Sequence, residues 1–146
     1  MIYLGADHAG FKLKEEIKQS LDKLGYKYQD LGNWELEEKD DYPDFGFKVA
    51  KKVVKQRGAK GLLFCGSGQG MVIVANKVKG VRAALGFNQE SAERSRKEDD
   101  ANVLSIGARM TSSKEAKKIV EVWLKTKFSK TPRHQRRIKK ISFIEK

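Results

Sequence analysis

The chain has 146 residues, of which 39% are hydrophobic, and this size and composition are typical of a globular protein with one core. No apolar run approaches the roughly 20 residues of a membrane helix, and Asp7 and His8 interrupt the N-terminus before a signal-peptide core can form. We therefore expect a cytoplasmic protein whose residues 1–146 form a single domain.

The net charge of +12 attracts polyanions and makes nucleic acid a possible partner. Much of the excess is lysine on predicted helical faces, where we expect solvated side chains. These lysines are Lys12, Lys14, Lys18, Lys23, Lys51, Lys52 and Lys55. Basic residues crowd together only in the tail, TPRHQRRIKKISFIEK. We expect anionic small molecules as the main ligands, with nucleic-acid binding by the tail as the alternative.

The first half of the chain alternates short apolar runs with amphipathic stretches, which is typical of βαβ units. Residues 1–6 predict a strand, and 26–31 predict the next. Between them an apolar stripe with spacings of four, four and three indicates a helix that ends at Gly25. The stripe consists of Leu13, Ile17, Leu21 and Leu24. After the acidic loop WELEEKDDYPD, Pro43 begins a helix that Gly58 closes. Its predicted inward residues are Phe45, Val49, Ala50, Val53 and Val54.

The second half continues the alternation. The predicted strands are 61–65, 81–85 and 102–106, and the predicted helices are 71–77, 89–98 and 115–125. Residues 61–65 are apolar throughout, as expected of a parallel strand covered on both faces. Thr131 and Pro132 are suited to begin a last helix that carries the basic tail. Five strands alternating with helices predict an α/β fold with an open, parallel, doubly wound sheet.

In such a sheet, ligands bind beyond the carboxyl ends of the strands, near the point where the strand order reverses. Asp7 and His8 follow the first strand, Cys65 to Gly70 follow the third, and Gly107 to Arg109 follow the fifth. We therefore expect these three segments to form one site.

The glycine-rich loop FCGSGQGM is the most informative of the three segments. Gly66, Gly68 and Gly70 lack β-carbons, so the backbone can turn sharply and direct successive N–H groups at one anion ahead of a helix. The alternative is a merely structural turn. The loop follows the third strand and lacks the correctly placed third glycine, which argues against a dinucleotide fingerprint, and no P-loop motif is present.

Cys65 is the only cysteine of the chain, and with only His8 and His134 as histidines we expect neither a disulfide nor a metal site. N–H dipoles in the glycine loop are expected to lower the pKa of this thiol from about 8.5 toward neutrality. The sequence shows no arrangement of a histidine with an asparagine or aspartate that would make Cys65 a protease-like nucleophile. A base is therefore the favoured role of this thiol. Simple burial at a strand end is the alternative.

Other candidates surround this loop. Asp7 offers a carboxylate for sugar hydroxyls, or a helix cap, and His8 an imidazole for phosphate. Arg133 and Arg137 lie one turn apart on the last predicted helix, as in a phosphate clamp, although a solvated basic face is the alternative. Tyr42 is suited either to cover a ligand or to pack at the surface.

The motifs GADHAGFKLK, DYPD, CGSGQGM with ANK, GVRAAL, SRKEDDANVLSIGAR and RHQRR, in this order, resemble the ribose-5-phosphate isomerase type B family. That family includes the galactose-6-phosphate and allose-6-phosphate isomerases. The resemblance implies a Rossmann-like three-layer sandwich with a five-stranded parallel sheet and a C-terminal helix. It also implies a homodimer or homotetramer with active sites between two subunits. The implied reaction is an aldose-ketose isomerisation through an enediolate, without metal or organic cofactor.

By position, the resemblance implies that Cys65 is the base that moves a proton between C2 and C1. The loop amides of Gly66, Gly68 and Gly70 would stabilise the oxyanion, together with the Ser67 hydroxyl. Asp7 would contact the sugar. The implied phosphate ligands are His8, Arg133 and Arg137, with Arg109 as a further substrate contact and Tyr42 as a pocket wall.

Two departures from the family pattern stand out. Glu98 and Asp99 occupy the positions of a histidine, which helps to open the furanose ring, and an asparagine. Glu98 is expected to shuttle a proton in its place if burial raises its pKa, while two acids also repel a phosphorylated sugar unless arginines offset them. Lys130 to Pro132 replace glycines that commonly precede the clamp.

The sequence thus favours interconversion of ribose 5-phosphate and ribulose 5-phosphate. An isomerase for another sugar phosphate, of the allose or galactose 6-phosphate type, is the first alternative. A non-catalytic sugar-phosphate-binding module is the second, and a nucleic-acid binder that uses Arg136, Lys139 and Lys140 is the third.

Overall fold

A computed structural model describes residues 1–145, whose apolar strand segments form one five-stranded parallel sheet. The strands are β1 (Ile2–Ala6), β2 (Tyr28–Asp30), β3 (Lys60–Cys65), β4 (Ala83–Leu85) and β5 (Val103–Gly107), in the spatial order β2-β1-β3-β5-β4. Every residue of β1 and β5 is buried, as expected of parallel strands that helices cover on both faces. The predicted fold class is confirmed.

Two helical layers cover the sheet, and a last helix follows them. The helices are α1 (Phe11–Leu24), α2 (Tyr42–Lys55), α3 (Gln69–Ala75), α4 (Gln89–Lys97), α5 (Ser113–Lys125) and α6 (Pro132–Ile144). Residues of α1, α4 and α5 form one core with the sheet, and residues of α2 and α3 form the other. Trp123 is the largest fully buried side chain, and its indole N–H donates to Ser95 Oγ at 3.2 Å.

The strand order reverses between β1 and β3, because β2 lies on the outer side of β1 and the remaining strands lie beyond β3. β1 and β3 pair in parallel with Ala6 opposite Phe64, and Asp7 N–H extends this pairing by donating to Phe64 O at 3.3 Å. The residues that follow the two strands therefore emerge side by side at the carboxyl edge of the sheet, where a parallel sheet of this kind binds ligands.

The helix boundaries differ from the sequence prediction where a local backbone feature ends an element. α3 begins at Gln69 rather than Met71, because Gly68 adopts a left-handed conformation with φ of 80° directly before it. α2 ends at Lys55, ahead of Gly58. Two predicted core residues, Leu24 and Val54, are exposed because each lies in the last turn of its helix, beyond the packed stripe.

α6 is attached to the rest of the chain at its two ends. His134 is its one buried residue within the described chain, and its Nδ1 lies 2.8 Å from Ser129 Oγ. Near the other end, Gly80 N–H donates to Glu145 Oε1 at 3.0 Å. The apolar side chains of Phe143 and Ile144 are exposed. Within residues 1–145, none of the helices combines the length and the apolar composition that crossing a membrane requires.

The expectation that Lys14 is a solvated surface lysine is wrong, because its side chain is completely buried. Its ammonium group donates to both carboxylate oxygens of Asp30, at 2.8 and 2.7 Å, and to the carbonyl of Asn33. Lys18 adds a second ion pair to Asp30 at 2.9 Å. A lysine on the apolar side of a helix is tolerated where a carboxylate from another element pairs with it. The residue periodicity of the helix itself does not reveal that carboxylate.

Replacing Lys14 with Ala is expected to lower the free energy of unfolding by about 3 kcal/mol, because Asp30 loses its main cationic partner within the protein. Urea denaturation monitored by circular dichroism measures this change. Lys18→Ala is the matched control, since Lys18 binds the same carboxylate from a more exposed position, and it is expected to cost less than about 1 kcal/mol. Equal losses in the two variants would contradict the assigned role of Lys14.

Candidate active site

The loops after β1, β3 and β5 enclose a cleft of about 300 Å³ at the point where the strand order reverses. The first residue of α2 forms a further wall. The lining residues are Asp7, His8, Ala9, Tyr42, Cys65, Gly66, Ser67, Gly70, Arg109 and Met110. The expectation that the segments after these three strands form one site is therefore met by the geometry of a single chain.

The glycine loop is held in place from the β5 side. The hydroxyl of the buried Ser105 donates to Gly68 O at 2.8 Å. The N–H of Ala108 donates to Cys65 O at 2.8 Å, and the N–H of Arg109 donates to Gly66 O at 2.9 Å. The loop N–H groups are thereby oriented without a bound ligand. Sequence reasoning missed Ser105, although a lone hydroxyl within the apolar strand VLSIG is a usable signal, because such a group needs a partner when it is buried.

Cys65 lies at the start of the loop, where Gly68 N–H donates to its Sγ at 3.2 Å. Burial raises the pKa of the thiol, and the nearby carboxylate of Asp7 raises it further. The N–H groups of Met71, Gly68 and Ser67 act in the opposite direction but are outweighed. The expectation of a pKa lowered toward neutrality is therefore wrong in its net direction. At neutral pH the resting thiol is protonated, and its thiolate is a comparatively strong base.

Asp7 combines the two roles that the sequence left open. Its Oδ1 accepts the N–H of Gly10, directly ahead of α1, at 3.0 Å, while the same residue lines the cleft. Burial raises its pKa, although the Gly10 N–H and the neighbouring His8 oppose this effect. The carboxylate is therefore held in a fixed orientation with oxygen available to a polar ligand.

His8 is oriented by Asp40, a residue that sequence reasoning did not select. Asp40 Oδ1 lies 2.7 Å from His8 Nδ1 and accepts the His8 backbone N–H at 3.0 Å. Asn33 donates to Asp40 Oδ2 at 3.2 Å, so the carboxylate is itself fixed. The hydrogen bond to Asp40 raises the pKa of His8, which favours a cationic imidazole in the cleft. Asp40 lies in the acidic loop, and its neighbours in the sequence do not distinguish it from the other acids there.

Asp7, His8 and Asp40 offer three potential metal-ligand atoms within 4.8 Å of one another. In the chain these atoms are already used, because Asp7 binds the N–H of Gly10 and His8 is hydrogen-bonded to Asp40. A cation would compete with both interactions. Without a metal, the three groups form a protonated imidazole flanked by two carboxylates, and such an arrangement can bind a polar ligand directly.

Tyr42 and Arg109 complete the cleft. The ring of Tyr42 covers Gly70 so closely that a β-carbon there would lie 2.4 Å from Tyr42 Cζ, which explains the glycine at this position. Tyr42 is thus a wall of the cleft rather than a residue that packs elsewhere on the surface. The Arg109 guanidinium lies over Gly66, and its charge opposes protonation of His8. The Arg109 guanidinium and the His8 imidazole, whose protonation Asp40 favours, therefore line one small cleft, and both groups are suited to bind an anion.

The other predicted site residues lie elsewhere on the same chain. Glu98 follows α4 and forms an ion pair with Arg94 at 3.0 Å. Asp99 lines a separate cavity, beside the end of α6. Arg133 and Arg137 are exposed on α6, and neither forms an ion pair or side-chain hydrogen bond with the described residues. One chain therefore unites the thiol, the glycine loop, Asp7 and His8, but it does not bring the arginine pair to them.

The fold and the cleft define a class of α/β protein that holds a thiol, a carboxylate, an imidazole and a guanidinium around a glycine-rich loop at the carboxyl edge of a parallel sheet. Residues 2–141 match the family model described as Ribose/Galactose Isomerase. Ribose-5-phosphate isomerase B from Mycolicibacterium paratuberculosis is 41% identical over 99% of this chain and 91% of that relative. The chain belongs to the ribose/galactose isomerase family, as the sequence motifs predicted.

Solved structures agree with this assignment. The crystal structure of ribose-5-phosphate isomerase B from Mycoplasma genitalium with bound ribulose-5-phosphate has a TM-score of 0.95 and 43% identity, covering 99% of this chain and 95% of that chain. Ribose-5-phosphate isomerase B from Clostridium thermocellum has a TM-score of 0.94 and 44% identity, covering 99% of this chain and 96% of that one. The whole fold is therefore shared with enzymes of this family.

Replacing Asp40 with Asn is expected to lower the pKa of His8 toward its ordinary value of about 6.5, because the imidazolium loses its anionic acceptor. At a pH below both pKa values of His8, that of the wild type and that of Asp40→Asn, the imidazole is protonated in either protein, and at a pH above both it is neutral. The two proteins therefore differ only at pH values between the two pKa values. Titration of the histidine C2–H resonances by NMR measures this shift.

The chain offers two controls for this titration. Asp41→Asn removes the neighbouring exposed carboxylate, which has no side-chain hydrogen bond to the helix, and it should leave the pKa of His8 unchanged. The resonance of His134, the second histidine of the chain, should be unchanged in both variants. An unchanged His8 titration in Asp40→Asn would show that Asp40 does not hold the imidazole cationic.

Proposed function

We propose that this protein interconverts ribose 5-phosphate and ribulose 5-phosphate by proton transfer. The observation that carries the proposal is the placement of Cys65 on a preformed loop of N–H groups, in the same cleft as His8 and Arg109. A base, an oxyanion site and a cationic patch within a space of about 300 Å³ suit a small phosphorylated sugar.

In the proposed reaction, Cys65 acts in its ionised form, after the thiol has released its proton to solvent. The thiolate takes the proton from C2 while the electrons of that bond form the C1–C2 double bond and those of the carbonyl shift to O1. The resulting enediolate oxygen is stabilised by the N–H groups of the loop from Gly66 to Gly70, with the Ser67 hydroxyl as a further donor. A proton then moves from O2 to O1, and Cys65 returns its proton to C1, which leaves the carbonyl at C2. The raised pKa of Cys65 supports this role, because a base must be strong enough to take a proton from carbon.

The cationic side of the cleft supports the proposed phosphate contact. The hydrogen bond to Asp40 favours protonation of His8, and the Arg109 guanidinium lies beside Gly66 in the same cleft. Asp7, held by the Gly10 N–H, is placed to accept a hydrogen bond from a sugar hydroxyl. The proposed contacts thus hold the phosphate and a hydroxyl group of an open-chain sugar and leave its reacting carbons near Cys65.

We further propose a homodimer, or a tetramer of two dimers, in which the partner subunit supplies Arg133, Arg137, Glu98 and Asp99. These four residues lie outside the cleft of their own chain, and the arginines have no partners among residues 1–145. The exposed apolar residues Phe143 and Ile144, on the same helix as the arginine pair, are consistent with a buried interface. Glu98 would then act on the ring oxygen of the closed sugar, and the arginines would offset the repulsion by the two acids.

The alternative substrate is a longer sugar phosphate, of the allose or galactose 6-phosphate type. The observation that favours it is the acidic pair Glu98 and Asp99 at positions that differ from the family pattern. A panel of aldose phosphates separates the two possibilities by the ranking of kcat/KM. The highest value for ribose 5-phosphate would support the principal proposal.

Cys65→Ala is expected to lower the rate of ribulose 5-phosphate formation by about a thousandfold, because no other group in the cleft replaces the base. Binding of ribose 5-phosphate should change little, since the phosphate contacts are intact. The measurements are a coupled assay of ribulose 5-phosphate and calorimetric titration of the sugar phosphate. Retained turnover in Cys65→Ala would remove the assigned base, and an inactive wild type that Glu98→His activates would point to a retuned enzyme.

The shared site is tested by mixing two inactive variants, Cys65→Ala and Arg133→Ala/Arg137→Ala, after denaturation and joint refolding. If the partner supplies the arginines, each mixed dimer contains one site with both functional groups intact, and random association restores about one quarter of the wild-type activity. If the thiol and the arginines act within one chain, the mixture stays inactive. Refolding each variant alone is the control.

A further inference from the structure

The pairing of β2 with β1 continues beyond Asp30 and reaches the edge of the candidate active site. Gly32 O accepts from Ala6 N–H, and Asn33 N–H donates to Ala6 O, each at 2.8 Å. His8 follows closely after Ala6 in the chain, so Asn33 lies at the same carboxyl edge of the sheet as His8. The end of β2 thus brings a further polar side chain, an amide, to the surroundings of the cleft.

Asn33 is held through its backbone and through both atoms of its side-chain amide. Besides the bond from its N–H, its backbone carbonyl accepts from the ammonium of the buried Lys14. Its Oδ1 accepts from Trp34 N–H at 2.9 Å, and its Nδ2 donates to Asp40 Oδ2 at 3.2 Å. These two contacts also identify which amide atom is the nitrogen, because an N–H meets one atom and a carboxylate meets the other.

The Asp40 side chain is only 6% exposed, and a carboxylate this buried needs hydrogen-bond donors. It faces the backbone N–H of His8, the Nδ1 of His8 and the Nδ2 of Asn33. Burial raises the pKa of Asp40, but these hydrogen bonds outweigh burial and lower it, so the group is an ionised acceptor. The imidazole of His8 must therefore carry a hydrogen on Nδ1, whether the ring is neutral or cationic, which leaves Nε2 for a ligand of the cleft.

We propose that Asn33 is a positioning residue for His8, because its bond to Asp40 Oδ2 keeps Oδ1 against Nδ1 and so presents Nε2 as the phosphate-binding atom. The His8 side chain is 33% exposed, so packing alone does not hold the ring. Without Asn33 the carboxylate is free to turn about its Cβ–Cγ bond and release the imidazole. This inference rests on the phosphate contact that the proposed function gives to His8, and it adds the contacting atom and the residue that secures it.

Long-range ¹H–¹⁵N NMR spectra of the imidazole, recorded at a pH where His8 is neutral, test the assigned tautomer. In the wild type the hydrogen of the neutral ring should lie on Nδ1. Asn33→Ala should shift the population toward the Nε2–H form, because Asp40 no longer holds Nδ1 in place. A wild-type ring with its hydrogen on Nε2 would overturn the proposal, and so would a tautomer that Asn33→Ala leaves unchanged.

Binding of inorganic phosphate, followed through the His8 C2–H resonance at about pH 5.5, where the ring is cationic with or without Asp40, tests the route of the effect. Asp7 and Arg109, the other charged groups that act on His8, are the same in every variant. Asn33→Ala should raise the dissociation constant about fivefold in the wild type and leave it unchanged in Asp40→Ala, because the effect passes through Asp40. Equal weakening in both backgrounds, weakening in neither, or a wild-type resonance that phosphate does not move would each contradict the proposal.

Asn102→Ala is the matched control. Asn102 also makes two side-chain hydrogen bonds, to Gly80 O at 2.9 Å and from Arg82 N–H at 2.8 Å, but it does so where β4 and β5 begin, at the other edge of the sheet. Its loss should change neither the tautomer nor the phosphate affinity, and effects equal to those of Asn33→Ala would show a general loss of order instead of positioning. Neither measurement uses turnover, whereas the coupled assay tests the isomerase proposal, so the failure of either proposal is recognised separately.

Discussion

The parallel pairing of β1 with β3 is the constraint on which the site depends. Because these strands are neighbours at the reversal of strand order, the residues that follow them emerge together, with Asp7 N–H bonded to Phe64 O and Cys65 next along the chain. Asp7 and His8 thus lie beside the glycine loop, although more than fifty residues separate them in the sequence. The pairing with β5 on the other side brings Arg109 to the same cleft and fixes the loop through Ser105. The strand pairings of the sheet therefore determine which side chains meet at its carboxyl edge.

The pKa values of Cys65 and His8, two groups of the cleft, are both raised, but for different physical reasons. The thiol of Cys65 is buried at the end of a core strand, and desolvation raises its pKa despite three N–H groups that favour the thiolate. His8 lies nearer to solvent, and its hydrogen bond to Asp40 stabilises the cation. A protein that must both take a proton from carbon and bind a phosphate needs this combination. In the proposed mechanism, Cys65 is a strong base because burial makes its charged form costly, while Asp40 favours the cationic form of His8, the proposed phosphate ligand.

The basic composition of the chain has several separate origins. Lys14 and Lys18 neutralise Asp30 and hold the segment that ends in Asn33, which in turn supports Asp40. Arg82 and Arg96 fix the backbone where β4 and β5 begin. Each of these contributions is local and is satisfied by a specific acceptor. A net charge alone therefore says little about the partner of this protein, and the cations without acceptors among the described residues, such as Arg133 and Arg137 on α6, are the informative ones.

The sequence by itself determined the strands, the helices, the glycine loop and the motifs of the family, because hydrophobic periodicity, glycine positions and motif order are local properties of the chain. It also indicated which strand ends carry polar residues. Only the tertiary structure decided that Lys14 is buried, that Asp40 rather than another acid of its loop orients His8, and that the pKa of Cys65 is raised. Those outcomes depend on groups brought together from distant parts of the chain and on the water excluded between them. The placement of Arg133 and Arg137 outside the cleft of their own chain is of the same kind, because helical spacing aligns two side chains with each other but does not say what they face.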